Sequence, residues 1–132
     1  DKIKIEYEVN FFYQEIQKIL SKSDLIISRA GAGTIDDIIN FKKPSILIPF
    51  PYSLNDHQFI NARYLSDKNA AMLISEDNFN VINGYKAFKE LLDDKNYRLS
   101  MIKILNQLEN LDANKLIFNR ISKWIILQKT HK

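Results

Sequence analysis

The sequence predicts an α/β fold, a doubly wound parallel sheet followed by a helical tail. Over about residues 1–76, short apolar runs of strand length alternate with segments of helical periodicity. Such alternation is typical of parallel strands joined by right-handed crossovers. From about residue 79 to residue 130 the periodicity is helical throughout. No repeat, low-complexity tract or linker interrupts the 132 residues, so we expect a single domain.

Four strands are predicted. In residues 2–9, apolar and charged side chains alternate strictly, which indicates a strand with one buried face. Residues 25–28, 45–49 and 70–74 are compact apolar runs bounded by turn-forming residues. Runs of this kind are typical of strands that are covered on both faces of a parallel sheet.

The predicted helices lie between and after these strands. Apolar residues recur at helical spacing from Phe12 to Leu20, and again in residues 34–41 and 57–67. Three further helices are predicted in the tail from their apolar positions, which are Val81, Tyr85, Phe88, Leu91 and Leu92 for one, Leu99, Ile102, Leu105 and Leu108 for the next, and Leu116, Ile117, Ile121, Trp124 and Ile125 for the last.

Composition argues against several classes of function. Lysine and arginine number 19 against 16 acidic residues, a net charge of +3, and they are scattered along the chain, so nucleic-acid binding is not indicated. The chain has no cysteine, and its two histidines, His57 and His131, are far apart. We therefore predict no disulfide and no metal site. The apolar runs are much shorter than the ~20 residues that span a bilayer.

Two of the three glycines, Gly31 and Gly33, lie together between a predicted strand and a predicted helix. Without side chains, they allow backbone N–H groups at the start of the helix to approach an anion, and a diphosphate is the natural ligand. The alternative is a tight strand-to-helix turn that binds nothing. The spacing alone favours neither interpretation.

Thr34 and Asp37 also have two interpretations. The pattern Thr-x-x-Asp resembles a capping box, in which Asp37 would only stabilise the start of a helix. Alternatively, the Asp37 carboxylate accepts hydrogen bonds from the two hydroxyls of a ribose. The sequence leaves both open.

A second polar segment, residues 49–62, follows the next predicted strand and contains Asp56, His57, Gln58 and Asn61 around the start of a helix. Ligands of open α/β sheets bind at the carboxyl ends of the strands, and these side chains can read sugar hydroxyls. In the alternative, Asp56 caps the helix while His57 and Asn61 face water. Their clustering opposite the glycine segment favours a binding role.

Two acidic pairs and the tryptophan are assigned no role in a site. Glu76 with Asp77, and Asp93 with Asp94, are adjacent acidic pairs, which usually mark solvated turns. Trp124 is interpreted as core packing.

The two segments SDLIISRAGAGTIDDII and PSILIPFPYSLNDHQFINARYL resemble the MurG family of bacterial N-acetylglucosaminyltransferases, and the similarity covers about residues 3–76. The resemblance implies a GT-B enzyme of two Rossmann-like domains, of which this chain matches part of the C-terminal, donor-binding one. It places the acceptor site and the catalytic base on the N-terminal domain. It therefore identifies no catalytic residue in this chain.

The resemblance implies a role for each matching position. Ala32, Gly33 and Thr34 would meet the diphosphate, and the backbone of Tyr13 would meet uracil. Asp37 stands where the family has a glutamate that holds the ribose, and Gly33 where a larger apolar residue is frequent. His57 and Gln58 would face the N-acetylglucosamine hydroxyls, with Asn61 close behind. The full set of predicted substrate-binding residues is Tyr13, Arg29, Gly31, Ala32, Gly33, Thr34, Asp37, His57, Gln58 and Asn61, with no metal and no cofactor.

The reaction that the resemblance implies is inverting transfer of N-acetylglucosamine from UDP-N-acetylglucosamine to lipid I, which gives lipid II. The whole enzyme would act as a peripheral protein on the cytoplasmic face of the bacterial inner membrane. The soluble subunit of the eukaryotic dolichol-linked N-acetylglucosaminyltransferase is similar in this region, but FPYSLNDHQ favours the bacterial family. A non-catalytic nucleotide-sugar-binding or interaction module is the alternative from another class.

Overall fold

The computed structural model describes residues 6–108 and residue 121. Helices and strands alternate through the first part of the described chain, and two longer helices follow. In chain order the elements are α1 (Ile16–Lys22), β1 (Ile26–Ser28), α2 (Ala32–Phe41), β2 (Ser45–Leu47), a 3-10 turn (Leu54–Asp56), α3 (His57–Ser66), β3 (Met72–Leu73), a second 3-10 turn (Glu76–Asn78), α4 (Val81–Asp93) and α5 (Lys95–Gln107).

The three described strands form one parallel sheet in the order β1-β2-β3. Ile27 of β1 is paired with Ile46 of β2, and Leu47 of β2 with Leu73 of β3. Because the strands are parallel, their carboxyl ends meet at one edge of the sheet. The predicted doubly wound parallel arrangement is confirmed, and it brings the loops that follow the three strands together.

Strand β2 lies at the centre of the core, and its side chains point alternately to the two faces of the sheet. Leu47 packs in a cluster that includes Ile38 of α2 and Leu65 of α3. Ile46 packs in a second cluster on the other side, which includes Leu91 of α4. Helices therefore cover both faces of the sheet, which explains why β2 is an uninterrupted apolar run.

Helix α2 shows how local sequence sets the bounds of an element. Ile35, Ile38 and Ile39 are buried at helical spacing against the sheet. The helix ends at Phe41. Its C-cap residue, Lys42, takes a left-handed conformation with φ 55°, and Pro44 follows two residues later. A left-handed residue followed by proline stops a helix because proline has no N–H to continue the ladder.

Two predicted elements differ from the structure or lie outside it. Residues 6–9 of the first predicted strand form no strand, and Tyr7 and Val9 are 86% and 81% exposed. An alternating segment needs both a paired strand and an apolar surface, and no described strand pairs with these residues. Phe12 precedes α1 and is exposed as well. The last predicted helix lies outside the described residues, apart from Ile121, which is exposed.

The two described tail helices match their predicted positions. Asn80 caps α4 by accepting hydrogen bonds from the N–H groups of Ile82 and Asn83, and Asp94 caps α5 through the N–H of Tyr97. Side-chain caps of this kind satisfy N–H groups that have no partner within the helix. Among the described residues, no helix is long and apolar enough to cross a membrane.

Candidate functional site

The loops after β1 and β2 lie side by side at the carboxyl edge of the sheet. The N–H of Ile48, just past β2, donates a 2.9 Å hydrogen bond to the carbonyl of Ser28, the last residue of β1. The glycine segment thus begins beside the start of the second polar segment. The predicted proximity of the two segments is therefore present in the structure.

The glycine segment ends in the open N-terminus of α2. Gly31 is the N-cap residue, with φ −65° and ψ 154°, and α2 begins at Ala32. The Gly31 carbonyl accepts the first helical hydrogen bond, 3.1 Å long, from Ile35. Within the described part of the chain, no side chain caps this end of the helix, and Ala32 and Gly33 are exposed. Such an end presents uncompensated N–H donors and a partial positive charge to solvent.

Neither glycine is required by the local backbone. Both have ordinary φ values. A Cβ atom on Gly31 would lie 3.9 Å from the Thr34 hydroxyl, and one on Gly33 would meet nothing within 4 Å. A tight turn that needs glycine requires a left-handed conformation or a close internal contact, and both are absent at these two positions. The open space in front of the helix is therefore available to a ligand.

The capping-box interpretation of Thr34 and Asp37 is wrong. Because α2 begins at Ala32, Thr34 is already inside the helix and cannot be its N-cap residue. Asp37 is half-buried and has no hydrogen bond or ion pair with any other described residue. Among the described residues, nothing uses the acceptor capacity of its carboxylate.

The second polar segment enters α3 through a left-handed turn. Asn55 and Asp56 have φ values of 51° and 54°, and the Asp56 side chain accepts no hydrogen bond from the helix. The interpretation of Asp56 as a side-chain cap is therefore wrong. His57 is exposed, and its Nδ1 lies 2.6 Å from the carbonyl oxygen of Leu54. Since a carbonyl only accepts, Nδ1 is the donor of this hydrogen bond, and Nε2 is the second polar atom of the ring.

Gln58 and Asn61 each use one side-chain atom in a hydrogen bond to the backbone, Gln58 within the second segment and Asn61 to the residue before the glycines. The Gln58 Oε1 accepts a 3.0 Å hydrogen bond from the N–H of Phe50. The Asn61 Nδ2 donates a 3.0 Å hydrogen bond to the carbonyl of Ala30, so Asn61 does not simply face water. Each side chain retains a second polar atom, the Gln58 amide nitrogen and the Asn61 amide oxygen, for other partners.

Arg29 points toward the neighbouring loops. Its Nη1 donates hydrogen bonds of 3.3 Å to the carbonyls of both Ile48 and Pro49, and it forms an ion pair with Glu76. Its guanidinium also lies 5.7 Å from the centre of the Phe50 ring. Glu76 lies in the second 3-10 turn with its side chain 40% exposed, as predicted, but its ion pair with Arg29 was not predicted. Its place just after β3, at the same sheet edge, was the signal that could have identified it.

Tyr13 is separate from this arrangement. It precedes α1, and its hydroxyl donates a 3.4 Å hydrogen bond to the carbonyl of Glu8. The predicted uracil contact through its backbone stays a prediction.

Open space surrounds these loops. A groove of about 480 Å³ is lined by Ile27, Ser28, Arg29, Ile48, Glu76 and Phe79. A smaller one of about 270 Å³ is lined by Pro49, Phe50, Pro51, Asp56, Phe59, Ser75, Glu76 and Asp77. A larger depression of about 670 Å³ lies along α4 and α5 instead, and its lining includes the paired side chains Lys89 and Asp93. Among residues 6–108 and 121, no group of three His, Asp or Glu side chains could hold a metal ion.

Comparison with known proteins places this arrangement in a family. Residues 1–117 match the family described as "Glycosyltransferase family 28 C-terminal domain". The chain is 32% identical over 124 residues to the Coxiella burnetii "UDP-N-acetylglucosamine--N-acetylmuramyl-(pentapeptide) pyrophosphoryl-undecaprenol N-acetylglucosamine transferase", covering 94% of this chain and 35% of that protein. It is 39% identical over 104 residues to the protein of the same name from Prochlorococcus marinus (strain MIT 9301), covering 79% of this chain and 27% of that protein.

A solved structure agrees with these matches. The crystal structure of Acinetobacter baumannii MurG superposes with a TM-score of 0.75 at 27% identity, covering 88% of this chain and 35% of that one. The chain thus spans about a third of the length of the relatives it matches. The resemblance to the MurG family inferred from the two segments is confirmed, and the chain belongs to the glycosyltransferase family 28 C-terminal domain family.

Proposed function

We propose that this chain is the donor-binding portion of an N-acetylglucosaminyltransferase that uses UDP-N-acetylglucosamine and transfers its sugar to lipid I, giving lipid II. The acceptor would bind to an N-terminal domain that this chain does not contain, and the general base would come from there. The whole enzyme would work as a peripheral protein on the cytoplasmic face of the bacterial membrane. The proposal is supported by the names of the relatives and by the geometry of the two loops.

In this proposal the open end of α2 receives the diphosphate. Charge grows on the departing UDP as the sugar bond breaks, and fixed N–H donors aimed at that charge stabilise the transition state. The helix end alone contributes only about 0.3 to 1 kcal/mol, so the directed hydrogen bonds from Ala32, Gly33 and Thr34 carry most of the binding. Neither the fold nor this chemistry calls for a metal ion.

The sugar end of the donor would meet the second loop. Nε2 of His57 and the amide nitrogen of Gln58 are polar atoms on adjacent residues at the start of α3 that have no hydrogen bond to any described residue. Together they suit hydroxyl groups, which both donate and accept. Asp37 would hold the ribose between the two loops.

One observation carries the proposal: the glycine-bearing helix end is uncapped by any described side chain and has open space where Cβ atoms would stand. A helix end whose donors are compensated internally would have no need of an anion.

Titration of the chain with UDP and with UDP-N-acetylglucosamine, followed by backbone amide shifts, tests the proposal. We expect UDP to shift the signals of residues 31–37, and the complete donor to shift residues 57–61 in addition. ADP-glucose is the matched control and should produce much smaller changes. Shifts scattered over α4 and α5, or no saturable change with either uridine compound, would contradict a donor site and favour a non-catalytic interaction module.

A further inference from the structure

The side chain of Arg29 joins the loops that follow all three strands. Arg29 itself is the first residue after β1, its carbonyl partners Ile48 and Pro49 follow β2, and Glu76 follows β3. These loops are far apart in sequence, since Arg29 and Glu76 are separated by 47 positions. The parallel order of the strands is what brings them to one place.

The chemistry of this contact suits a fixed orientation. A guanidinium is planar and carries five N–H donors in a rigid fork. Two carbonyls and one carboxylate meet its Nη1 nitrogen, and the Phe50 ring centre lies 5.7 Å from the guanidinium carbon. These contacts fix the position of that end of the side chain. The two charged side chains are 49% and 40% exposed, and an ion pair so exposed contributes little to folding stability. Its main effect is therefore on where the loops lie.

This contact lies at the start of two loops. The diphosphate-binding loop follows β1 and leads into α2, and the sugar-binding loop follows β2 and leads into α3. Arg29 precedes Ala30, whose carbonyl accepts the hydrogen bond from Asn61. Pro49 precedes Phe50, whose N–H donates to Gln58. One guanidinium thus fixes the start of the diphosphate loop relative to the start of the sugar-facing loop.

We propose that Arg29, oriented by Glu76, is a positioning residue that sets the spacing between the diphosphate-binding and sugar-binding loops, and that it does not itself bind the diphosphate. This inference rests on the proposed function. It assigns Glu76 a role in the donor site although Glu76 need not touch the donor.

The first test uses the free chain and needs no ligand. Glu76→Gln removes the charge that orients Arg29 and keeps the shape of the side chain. We expect amide hydrogen exchange at Phe50 and Gln58 to accelerate by about threefold, the size that an exposed ion pair allows, as local opening of the loop becomes easier, while exchange at Ile46 and Leu47 stays unchanged. Asp93→Asn breaks the exposed ion pair with Lys89 and is the matched control. Unchanged exchange at Phe50 in Glu76→Gln would overturn the positioning role.

The second test separates positioning from direct contact by comparing two ligands. For Glu76→Gln and Arg29→Lys we expect the affinity for UDP-N-acetylglucosamine to fall by about fivefold and that for UDP by less than about twofold, because the spacing matters only when both loops are occupied. The double variant should be no weaker than the weaker single variant, since both changes disable one unit. Equal losses for the two ligands, or additive losses in the double variant, would show that Arg29 binds the diphosphate directly.

The two proposals fail differently. If the unaltered chain bound neither uridine compound, the proposed function would be wrong, and the exchange measurement would still decide whether Glu76 and Arg29 hold the loops.

Discussion

The side-chain amide of Asn61 donates a 3.0 Å hydrogen bond to the main-chain carbonyl of Ala30. Ala30 is fully buried at the start of the glycine-bearing loop, and Asn61 lies one turn into α3. The bond therefore ties the helix that carries His57 and Gln58 to the loop that precedes α2. It joins two segments that are separated by about thirty residues in the sequence.

Asn61→Ala tests the cost of losing this bond. The substitution leaves the buried Ala30 carbonyl without its donor, which costs about 1 to 3 kcal/mol. We expect the free energy of unfolding, measured by urea denaturation, to fall by that amount and UDP-N-acetylglucosamine binding to weaken with it. Asn106→Ala, at an exposed position on α5, is the matched control and should change neither quantity. An unfolding free energy equal to that of the unaltered chain would mean that water replaces the amide.

Asp37 and Asp36 form a natural pair for testing the ribose contact. They are adjacent on α2, and Asp37 is half-buried while Asp36 is exposed. Asp37→Asn removes a charged acceptor, and hydrogen bonds to charged groups contribute about 2 kcal/mol, or roughly thirtyfold in affinity. Calorimetric titration with UDP should show that loss for Asp37→Asn and almost none for Asp36→Asn. Asp37→Glu restores the family's residue and should bind at least as tightly as the unaltered chain. Equal losses of UDP affinity in Asp37→Asn and Asp36→Asn would mean that only the net charge of the chain matters, and would contradict the ribose contact.

Much of the fold was predictable because strands that are buried on both faces of a sheet are continuous apolar runs in the sequence. The apolar runs around Ile27, Ile46 and Met72 became the three parallel strands. The segment around Tyr7 carries an equally clear alternation, yet its described part is exposed and unpaired. The alternation of a segment shows which face it could bury as a strand. Whether it forms a strand depends also on a neighbouring strand to pair with, which the alternation does not reveal.

The sequence predicted which loops form the candidate site, but not all of the contacts that those loops make. The glycines and the polar residues around His57 fell where ligands of α/β sheets bind. The start of α2 was missed by two residues because its cap, Gly31, has no side chain to mark it. The Arg29–Glu76 ion pair was missed because it joins loops that only the folded sheet brings together.

The two glycines before and within α2 should respond oppositely to alanine. At Gly33 a Cβ meets nothing within 4 Å, and alanine lowers the entropy of the unfolded chain, so Gly33→Ala should raise the free energy of unfolding by about 0.5 kcal/mol. Gly31 is the N-cap, a position where alanine is much less favourable than glycine, so Gly31→Ala should lower it. In the same samples, UDP affinity should fall for Gly31→Ala and remain near its original value for Gly33→Ala. A loss of stability at Gly33 would show that the space before α2 is occupied by the protein itself.

Tyr97 predicts how stability changes at alkaline pH. Partial burial against the second core cluster raises the pKa of Tyr97, and the negative charge of Glu90 raises it further. The folded chain therefore holds the phenolic proton more tightly than the unfolded chain does. The resulting stabilisation is complete below pH ~10, the ordinary tyrosine value, and is lost as the pH rises through the folded pKa.

Urea denaturation from about pH 8 to about pH 11 measures this loss. We expect the unfolding free energy to decline less steeply in Tyr97→Phe than in the unaltered chain. Tyr52→Phe removes a phenol that is 85% exposed and should leave the decline unchanged. The pKa of Lys89, raised by its hydrogen bond to Asp93 and by the charges of Asp93 and Tyr85, adds the same alkaline loss to every variant that keeps these residues and cancels in the comparison. Parallel curves for Tyr97→Phe and the unaltered chain would mean that the phenol reaches water as freely in the folded state as in the unfolded one.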